Sequence, residues 1–427
     1  MLPKRLKSSV IFLVFLCGLP IVLFSQSQTL TLEEAIEAAM KKNPANFQFQ
    51  LIEKASEKQI EIYGKQNLPT VTWNTQASLQ SENIDLEFPI PNVEPISLPL
   101  YKAQSAIESN YLVYDGGISK TMITSEKVKR NLNEQNLNIQ LYGIKNQVVE
   151  LYYSIILLNR QNEILDSSIA FLNIRKKSLE SMVRNGVILN SDLDKMELEI
   201  LKIEQNQAGL KSKRNVLVSA LSNLTGINIS GIRLKPSDNI SDVNLIWNDR
   251  PEIKMFSLRN ELLDANSRLI DLKNKPKLAL FLKAGLGYPN PFNFFDNSFS
   301  PFAIGGVNFT WNIWDWKRTD LDKQKFLIEK DLIENQKNIF DENMKLEADK
   351  LVTEISGLEN NAEFDNKIIG RQKSIIEVTE NQYKNGVVSI NVYLEEINKK
   401  SIAELNAIIH QIEIQKAKYK LRVLLNK

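Results

Sequence analysis

The chain has little of what enzymes, redox proteins and metal sites commonly use. Among its 427 residues it has 1 cysteine and 1 histidine. Cys17 lies in the N-terminal apolar segment, so the rest of the chain can form no disulfide and offers no thiolate nucleophile or ligand. His410 lies in a helical pattern, and no serine or carboxylate pair stands near it in a catalytic motif. We therefore predict that the protein is not an enzyme and holds no metal or cofactor.

Turn-forming residues and long apolar runs are also scarce. The chain has 16 Gly and 14 Pro, which are few for this length and indicate long helices. Beyond the N-terminal segment no run reaches the ~18 apolar residues that a membrane helix needs. The 53 basic and 51 acidic residues are interspersed, so the charge pattern does not indicate nucleic-acid binding.

Residues 1–25 have the order of a secretory signal peptide. Lys4, Arg5 and Lys7 precede an apolar run from residue 10 to 24, and Ser25 follows it. We expect the chain to be exported. Lipid attachment at Cys17 is disfavoured because Leu16 stands where a small residue is expected.

The chain contains two copies of one plan. Four pairs of equivalent residues show the repeat. Pro44 with Pro251 and Pro69 with Pro276 lie 207 positions apart. Asp115 with Asp315 and Gly186 with Gly386 lie 200 positions apart. The difference falls in a longer loop of the first copy, where insertion is tolerated. We predict a first repeat at 26–225, a linker at 226–249 and a second repeat at 250–427.

Each copy contains two stretches of strictly alternating apolar and polar residues. They predict strands at about 69–80, 103–114, 277–288 and 303–314. Their length, their single apolar face and the aromatic clusters at their ends, among them Trp314 and Phe294, fit transmembrane β-strands. Two hairpins of a soluble sheet would show the same alternation, so that alternative stays open at this point.

Long heptad seams follow each strand pair. Apolar residues recur at spacings of three and four from Gly117 to about Val183 and again after the turn, and the same holds from Lys317 to Tyr383. Each copy therefore predicts a coiled-coil hairpin whose long arm reaches ~100 Å, with tips at about 184–191 and 384–391. Asp115 and Asp315 precede these arms, and we interpret them as helix N-caps and not as a catalytic pair.

The ordered set of motifs resembles the TolC-type outer-membrane efflux protein (outer membrane factor) family. The resemblance rests on "LTLEEAIEAAMKKNP", on "YDGG" and "WDWK" after the strand pairs, and on "NGVILNSDL" and "NGVVSINVYL" at the tips. It implies a mainly α fold with membrane β-strands, assembled as a homotrimer. A twelve-stranded β-barrel among outer-membrane lipid would continue as an α-helical barrel into the periplasm of a Gram-negative bacterium, with 226–249 as an equatorial linker.

The family's function would make this chain the passive exit duct of a tripartite efflux or type I secretion system. Docking of a periplasmic adaptor (membrane fusion) protein would open it, and an inner-membrane RND or ABC transporter would feed it. The alternative is a periplasmic coiled-coil adaptor or scaffold, although adaptors usually carry one helical hairpin and this chain has two.

The resemblance also suggests site residues. The lumen constriction would involve Glu395, Glu396 and Tyr383, while Val392 and Val388 replace a family acidic residue and the gate arginine. The adaptor would dock on exposed tip residues: Arg184, Gly186, Val187, Ser191, Lys384, Gly386 and Val387. The alternatives are that Glu395 is a solvated helix residue and that the glycines only end their helices.

Overall fold

The computed structural model describes residues 29–82, 84–86, 96–236, 245–293 and 295–426. The predicted signal peptide, Phe294 and part of the predicted linker 226–249 lie outside the described residues. The elements in chain order are β1 (Thr29–Leu30), α1 (Leu32–Lys42), α2 (Ala45–Lys65), β2 (Thr70–Leu79), β3 (Ile84–Leu86), β4 (Ile96–Leu98), β5 (Tyr101–Tyr114), α3 (Ile118–Arg184), α4 (Asn190–Thr225), β6 (Arg233–Leu234), α5 (Pro251–Lys273), β7 (Lys277–Tyr288), β8 (Ser300–Thr310), α6 (Arg318–Lys384) and α7 (Ile390–Leu424).

Two long helical hairpins form most of the fold. Helices α3 and α6 each have 67 residues, and their return helices α4 and α7 have 36 and 35. On the predicted seam of α3, Val148, Ile155 and Leu172 are almost fully enclosed, whereas Leu151 is half-buried. Among the residues that the structure describes, no helix combines the length and apolar character needed to cross a bilayer.

The main apolar core surrounds the middle of α3. There β1 pairs in parallel with β6 of the predicted linker, and both strands pack against the helix. The Tyr152 hydroxyl donates to the Leu30 and Lys235 carbonyl oxygens at 2.6 and 2.8 Å. The core cluster combines residues of α1, α3, α4 and α7. The two repeats therefore share one core and do not fold as separate domains.

Four long strands form an antiparallel sheet in the order β2-β5-β7-β8. Thr70 pairs with Asn110 in the first repeat, and Lys277 pairs with Thr310 in the second. The differences, 277 minus 70 and 310 minus 110, are 207 and 200, the same offsets that relate the repeats in the sequence. Both hairpins therefore have one register. In the described chain, β2 and β8 each leave one edge of this sheet unpaired.

The two faces of the sheet differ as the alternation predicts. Apolar side chains on one face are open to the surroundings, and Trp73 there is 77% exposed. The other face is polar and carries the cross-strand ion pair of Glu108 with Lys283 at 2.7 Å. Strand β8 begins and ends earlier than the predicted 303–314. Trp311 and Asn312 instead donate to Asn274 at the end of α5, so their backbone leaves the ladder.

The aspartates before α3 and α6 cap these helices from a position other than the one expected. Asp115 accepts from the Gly117 and Ser119 amides at 2.8 and 2.7 Å, and Asp315 accepts from the Thr319 amide at 3.1 Å. The N-cap residues themselves are Gly117 and Lys317, so each aspartate lies two residues earlier than an N-cap. An acceptor at this distance still satisfies amides that have no partner within the helix.

These bonds also hold both carboxyl groups ionised. Burial alone would raise the pKa of Asp115, but the Ser119 and Gly117 donors outweigh burial and lower that pKa to about 2. The Thr319 hydroxyl and the Asn274 amide lower the pKa of Asp315 to about 2. Each turn thus holds an ionised aspartate before its long helix, although the donors that stabilise the carboxylate differ in part.

Candidate gate at the hairpin tips

Both hairpins turn in the same way. Gly186 has φ +69° and Gly386 has φ +72°, the left-handed region where a Cβ is disfavoured. The next amides close the turns: Val187 donates to the Met182 carbonyl oxygen at 2.9 Å, and Val387 donates to that of Gln382 at 2.8 Å. This is the helix C-terminal geometry that glycine favours.

The residues predicted to dock an adaptor lie together at this end of the molecule, and their side chains are exposed. They are Arg184, Gly186, Val187 and Ser191 on the first tip, and Lys384, Gly386 and Val387 on the second. Val187 and Val387 are large apolar side chains left open at the two turns. The arrangement offers two apolar projections flanked by basic residues.

An apolar cluster beneath the tips joins all four long helices. Its buried members are Leu172, Leu179, Met196, Ile200, Ile376, Tyr383, Ile390, Tyr393 and Ile397. Because they come from both repeats, one hairpin cannot swing away from the other without exposing part of this cluster. Burial at ~25 cal/mol per Å² makes that movement costly.

Tyr383 is the predicted site residue that the structure places most centrally between the hairpins. Its ring stacks on Tyr393 with centroids 6.0 Å apart and an interplanar angle of 6°. Its hydroxyl donates to Asp192 Oδ2 of the other hairpin at 3.4 Å. Burial, and then the Asp192 carboxylate, raise the pKa of Tyr383 to about 12. The phenol is therefore a neutral donor under ordinary conditions.

A second polar link between the hairpins lies one helical turn above Tyr383. Arg175 Nη2 of α3 contacts Glu380 Oε2 of α6 at 2.9 Å, and Lys384 Nζ contacts Glu380 Oε1 at 2.8 Å. Glu380 is buried. Separating the hairpins would break the Arg175 contact and leave only Lys384, on the same helix, to compensate the Glu380 charge.

Glu395 and Glu396 occupy different environments. The Glu395 side chain is 64% exposed, whereas that of Glu396 is 15% exposed and accepts from Gln372 Nε2 on α6 at 2.5 Å. Lys399 Nζ lies 2.8 Å from a carboxylate oxygen of each. Lys399 and then Gln372 lower the pKa of Glu396, and the two glutamates raise the pKa of Lys399.

The two glutamates predicted to line the constriction therefore form a mixed cluster with Lys399 and not a purely acidic one. The two carboxylates and one ammonium give this cluster one net negative charge, and Glu395 is its exposed carboxylate. His410 lies higher on α7, where its Nδ1 contacts Asp365 Oδ2 of α6 at 2.9 Å. That contact joins two helices of one hairpin.

Three contacts at the tips were not predicted from the sequence. The contact of Lys399 with Glu395 could have been predicted from the sequence, because the two residues lie four positions apart on one helix face. The Asp192 partner of Tyr383 lies 191 positions away, and the Arg175–Glu380 pair joins different repeats. No local pattern indicates such contacts.

Comparison with known proteins gives a fold and no close relative. No protein-family model matches the chain, and no curated protein matches it in sequence. Among solved structures it is similar to the outer membrane protein VceC of Vibrio cholerae, with a TM-score of 0.65 at 14% identity over 92% of this chain and 95% of that one.

Two further structures agree. The CmeC outer membrane channel of Campylobacter jejuni has a TM-score of 0.65 at 13% identity, covering 92% of this chain and 85% of its own. The open state of the MtrE outer membrane channel of Neisseria gonorrhoeae has a TM-score of 0.62 at 14% identity, covering 92% and 88%. The chain therefore has the fold of the TolC-type outer-membrane channels.

Proposed function

We propose that this chain is one protomer of a trimeric exit duct in the outer membrane of a Gram-negative bacterium. The observation that carries the proposal is the sheet: four long strands with an exposed apolar face and two unpaired edges, joined to two hairpins of 67-residue helices. The similar structures are described as outer membrane channels, which supports the same reading.

The unpaired edges favour assembly with further copies. In hydrocarbon, an unpaired backbone amide or carbonyl group costs several kcal/mol, so strands span a bilayer only as a closed barrel. Four strands are too few to close one. Three copies would join β8 of each chain to β2 of the next and give twelve strands, with the apolar face toward lipid and the Glu108–Lys283 face toward the lumen.

The helices support the same assembly. Helix α6 exposes large apolar side chains over most of its length, including Leu327, Ile328, Leu346 and Phe364. A solvated helix of this length normally carries polar residues on its outer face. Side-by-side packing with the next copy would cover this stripe and continue the barrel as a helical tunnel in the periplasm.

The exposed aromatic residues fit the two membrane interfaces. Trp314 and Trp316 lie at the helical end of the sheet, and Phe295 and Phe299 lie at the opposite end. Tryptophan and other aromatic side chains concentrate at the headgroup level of a bilayer. A periplasmic adaptor or scaffold, the alternative reading, would leave this apolar sheet face without cover in water.

The gate would lie at the hairpin tips. The Tyr383–Asp192 and Arg175–Glu380 contacts tie the hairpins of one chain together and would hold the duct closed. An adaptor docking at Val187, Val387 and the basic residues beside them would favour the separated state. Glu395, with one net negative charge per cluster, would give the opening a preference for cations.

The transported cargo would come from an inner-membrane RND or ABC transporter, in drug efflux or in type I secretion. The duct itself would be passive and without catalysis. Cargo choice would then belong to that transporter, while this chain supplies the gate and the path through the outer membrane.

Single-channel conductance of the detergent-extracted trimer in a planar bilayer tests the proposal. We expect an SDS-resistant, heat-sensitive trimer with small cation-selective steps, and Glu395→Ala should enlarge the steps or lower their selectivity. Glu61→Ala is the matched control, because Glu61 also pairs with lysines but lies on α2. A soluble monomer that never inserts would refute the duct, whereas an indifferent Glu395→Ala would refute only the role of Glu395.

A further inference from the structure

We propose that the loop between β7 and β8 folds into the barrel and forms a second, outer constriction. This outer loop comprises residues 289–293 and 295–299, at the end of the sheet away from the helices. The proposal rests on the barrel proposed above and adds to it a narrow point near the cell exterior, formed by one loop from each of three copies.

The first observation is the side of the sheet on which the outer loop lies. Side chains alternate between faces along a strand, so Lys283, Gly285 and Gly287 share the polar face. Gly285 pairs with Phe302 of β8, which places Phe302 on that face too. This is the face that carries the Glu108–Lys283 pair and that would line the lumen.

The second observation is the burial of Phe302. A lumen-facing side chain in a single chain should be open, yet Phe302 is 7% exposed. The outer loop covers it: the Phe292 ring packs edge-on against Phe302 with centroids 6.0 Å apart. The part of the loop that contains Phe292 therefore leans over the lumen face.

The third observation is the close approach of the loop to Gly287 of β7. A Cβ on Gly287 would lie 2.4 Å from Pro291 Cγ, so the loop occupies the space that a side chain would fill. The space beside this contact is lined by Gln76, Ser78 and Gln104 of β2 and β5 together with residues 289–291. The outer loop thus extends across the sheet toward the first repeat.

Hydrogen bonds within the outer loop hold it in this shape. Asn290 Oδ1 accepts from the Phe292 and Asn293 amides at 3.0 and 3.2 Å, and Asn290 Nδ2 donates to Asp296 Oδ2 at 3.0 Å. Asp296 Oδ1 also accepts from the Ser298 amide at 3.1 Å. Bonds from both ends of the loop converge on two side chains, so the loop is a folded projection.

The rim of the outer constriction is apolar. Phe292 covers Phe302 with one part of its ring and remains 60% exposed. Three copies would place three phenylalanines around the exit. An apolar ring hinders hydrated ions while it lets apolar or amphiphilic molecules pass, so the outer constriction would select by hydration and not by charge.

Two phenylalanines of the same loop provide a matched test. Phe292 is on the lumen side, and Phe299 is 67% exposed and packs on Tyr288 of the opposite face. Phe292→Cys and Phe299→Cys variants of the assembled trimer would be treated with a short bis-maleimide. We expect linked dimers for Phe292→Cys only, because its three copies converge on the axis and each reagent molecule joins two of the three thiols.

Conductance gives an independent second readout. A bulky cationic thiol reagent added to the outer side should lower the conductance of Phe292→Cys by about two-fold or more, since the constriction is narrow there. It should leave Phe299→Cys unchanged. Equal linking and equal block in the two variants, or neither effect in Phe292→Cys, would overturn the outer constriction. A wild-type chain that forms neither a trimer nor a channel would overturn the proposed function instead.

Discussion

The seam between copies of the chain has a register that the two repeats allow us to calculate. Within the chain, Glu108 of β5 pairs with Lys283 of β7 across the junction of the repeats. The equivalent junction in a trimer joins β8 to β2 of the next copy. Adding 200 to 108 gives Asn308, and subtracting 207 from 283 gives Gln76. We therefore expect Asn308 to face Gln76 of the neighbour, so an amide pair takes the place of the ion pair.

Strand geometry makes this register testable by disulfide formation. Facing residues in antiparallel strands have Cα atoms about 4.5–5.5 Å apart, within the roughly 4.4–6.8 Å that a disulfide accepts. A slip of two residues moves the partners by ~6.8 Å along the strand, so their Cα atoms separate to about 8 Å. A slip of one residue turns the two side chains to opposite faces.

The double variant Gln76→Cys/Asn308→Cys would be oxidised in the assembled state, heated in SDS to separate chains that are not covalently linked, and run on SDS gels without reductant. Cys17, the only native cysteine, lies in the predicted signal peptide, so no native thiol competes in the exported chain. We expect covalent dimers and trimers, because each chain has two cysteines and contributes one of them to each of its two seams. Ser78→Cys/Asn308→Cys, which is two residues out of register, should stay monomeric. The opposite pattern would refute the repeat symmetry of the barrel.

Three further predictions concern single residues. Tyr383→Phe removes the bond to Asp192, worth about 1 kcal/mol, and should raise the open fraction in single-channel records several-fold; an unchanged record would contradict the gate. Lys317 has φ 64° where the first repeat has Gly117, so Lys317→Gly should relieve about 1 kcal/mol of backbone strain and raise the melting temperature. Asp115→Ala removes a helix cap and should cost about 1 kcal/mol at neutral pH. Because the folded pKa of Asp115 is depressed to about 2, that difference should shrink as the pH falls from about 4 toward 2 in acid unfolding curves, and a constant difference would contradict the assignment.

Periodicity explains why much of the fold could be predicted. Strands such as Thr70–Leu79 and helices such as Ile118–Arg184 bury or expose residues at a fixed spacing, so local sequence carries their signal. The hairpin turns could also be predicted from the sequence, because Gly186 and Gly386 mark the left-handed positions that end helices. The equal offsets of the two copies even anticipate a common strand register.

Contacts between distant side chains have no such signal. The Arg175–Glu380 pair depends on how two hairpins of different repeats lie side by side, and the burial of Phe302 depends on the path of a non-repetitive loop. The early end of β8 follows from side-chain bonds to Asn274, and local alternation continues past it. In each case tertiary contacts decided what the local pattern left undetermined.

The Tyr383–Asp192 contact breaks the symmetry that the repeats otherwise preserve. Six similar hairpins would surround the axis of a trimer, but the repeat partner of Tyr383 is Val183 and that of Asp192 is Val392. The equivalent hydroxyl–carboxylate bond cannot form in the groove between neighbouring copies. Three grooves would thus contain this polar bond and three alternating grooves would lack it, so the ring would part first along three lines, with threefold and not sixfold motion.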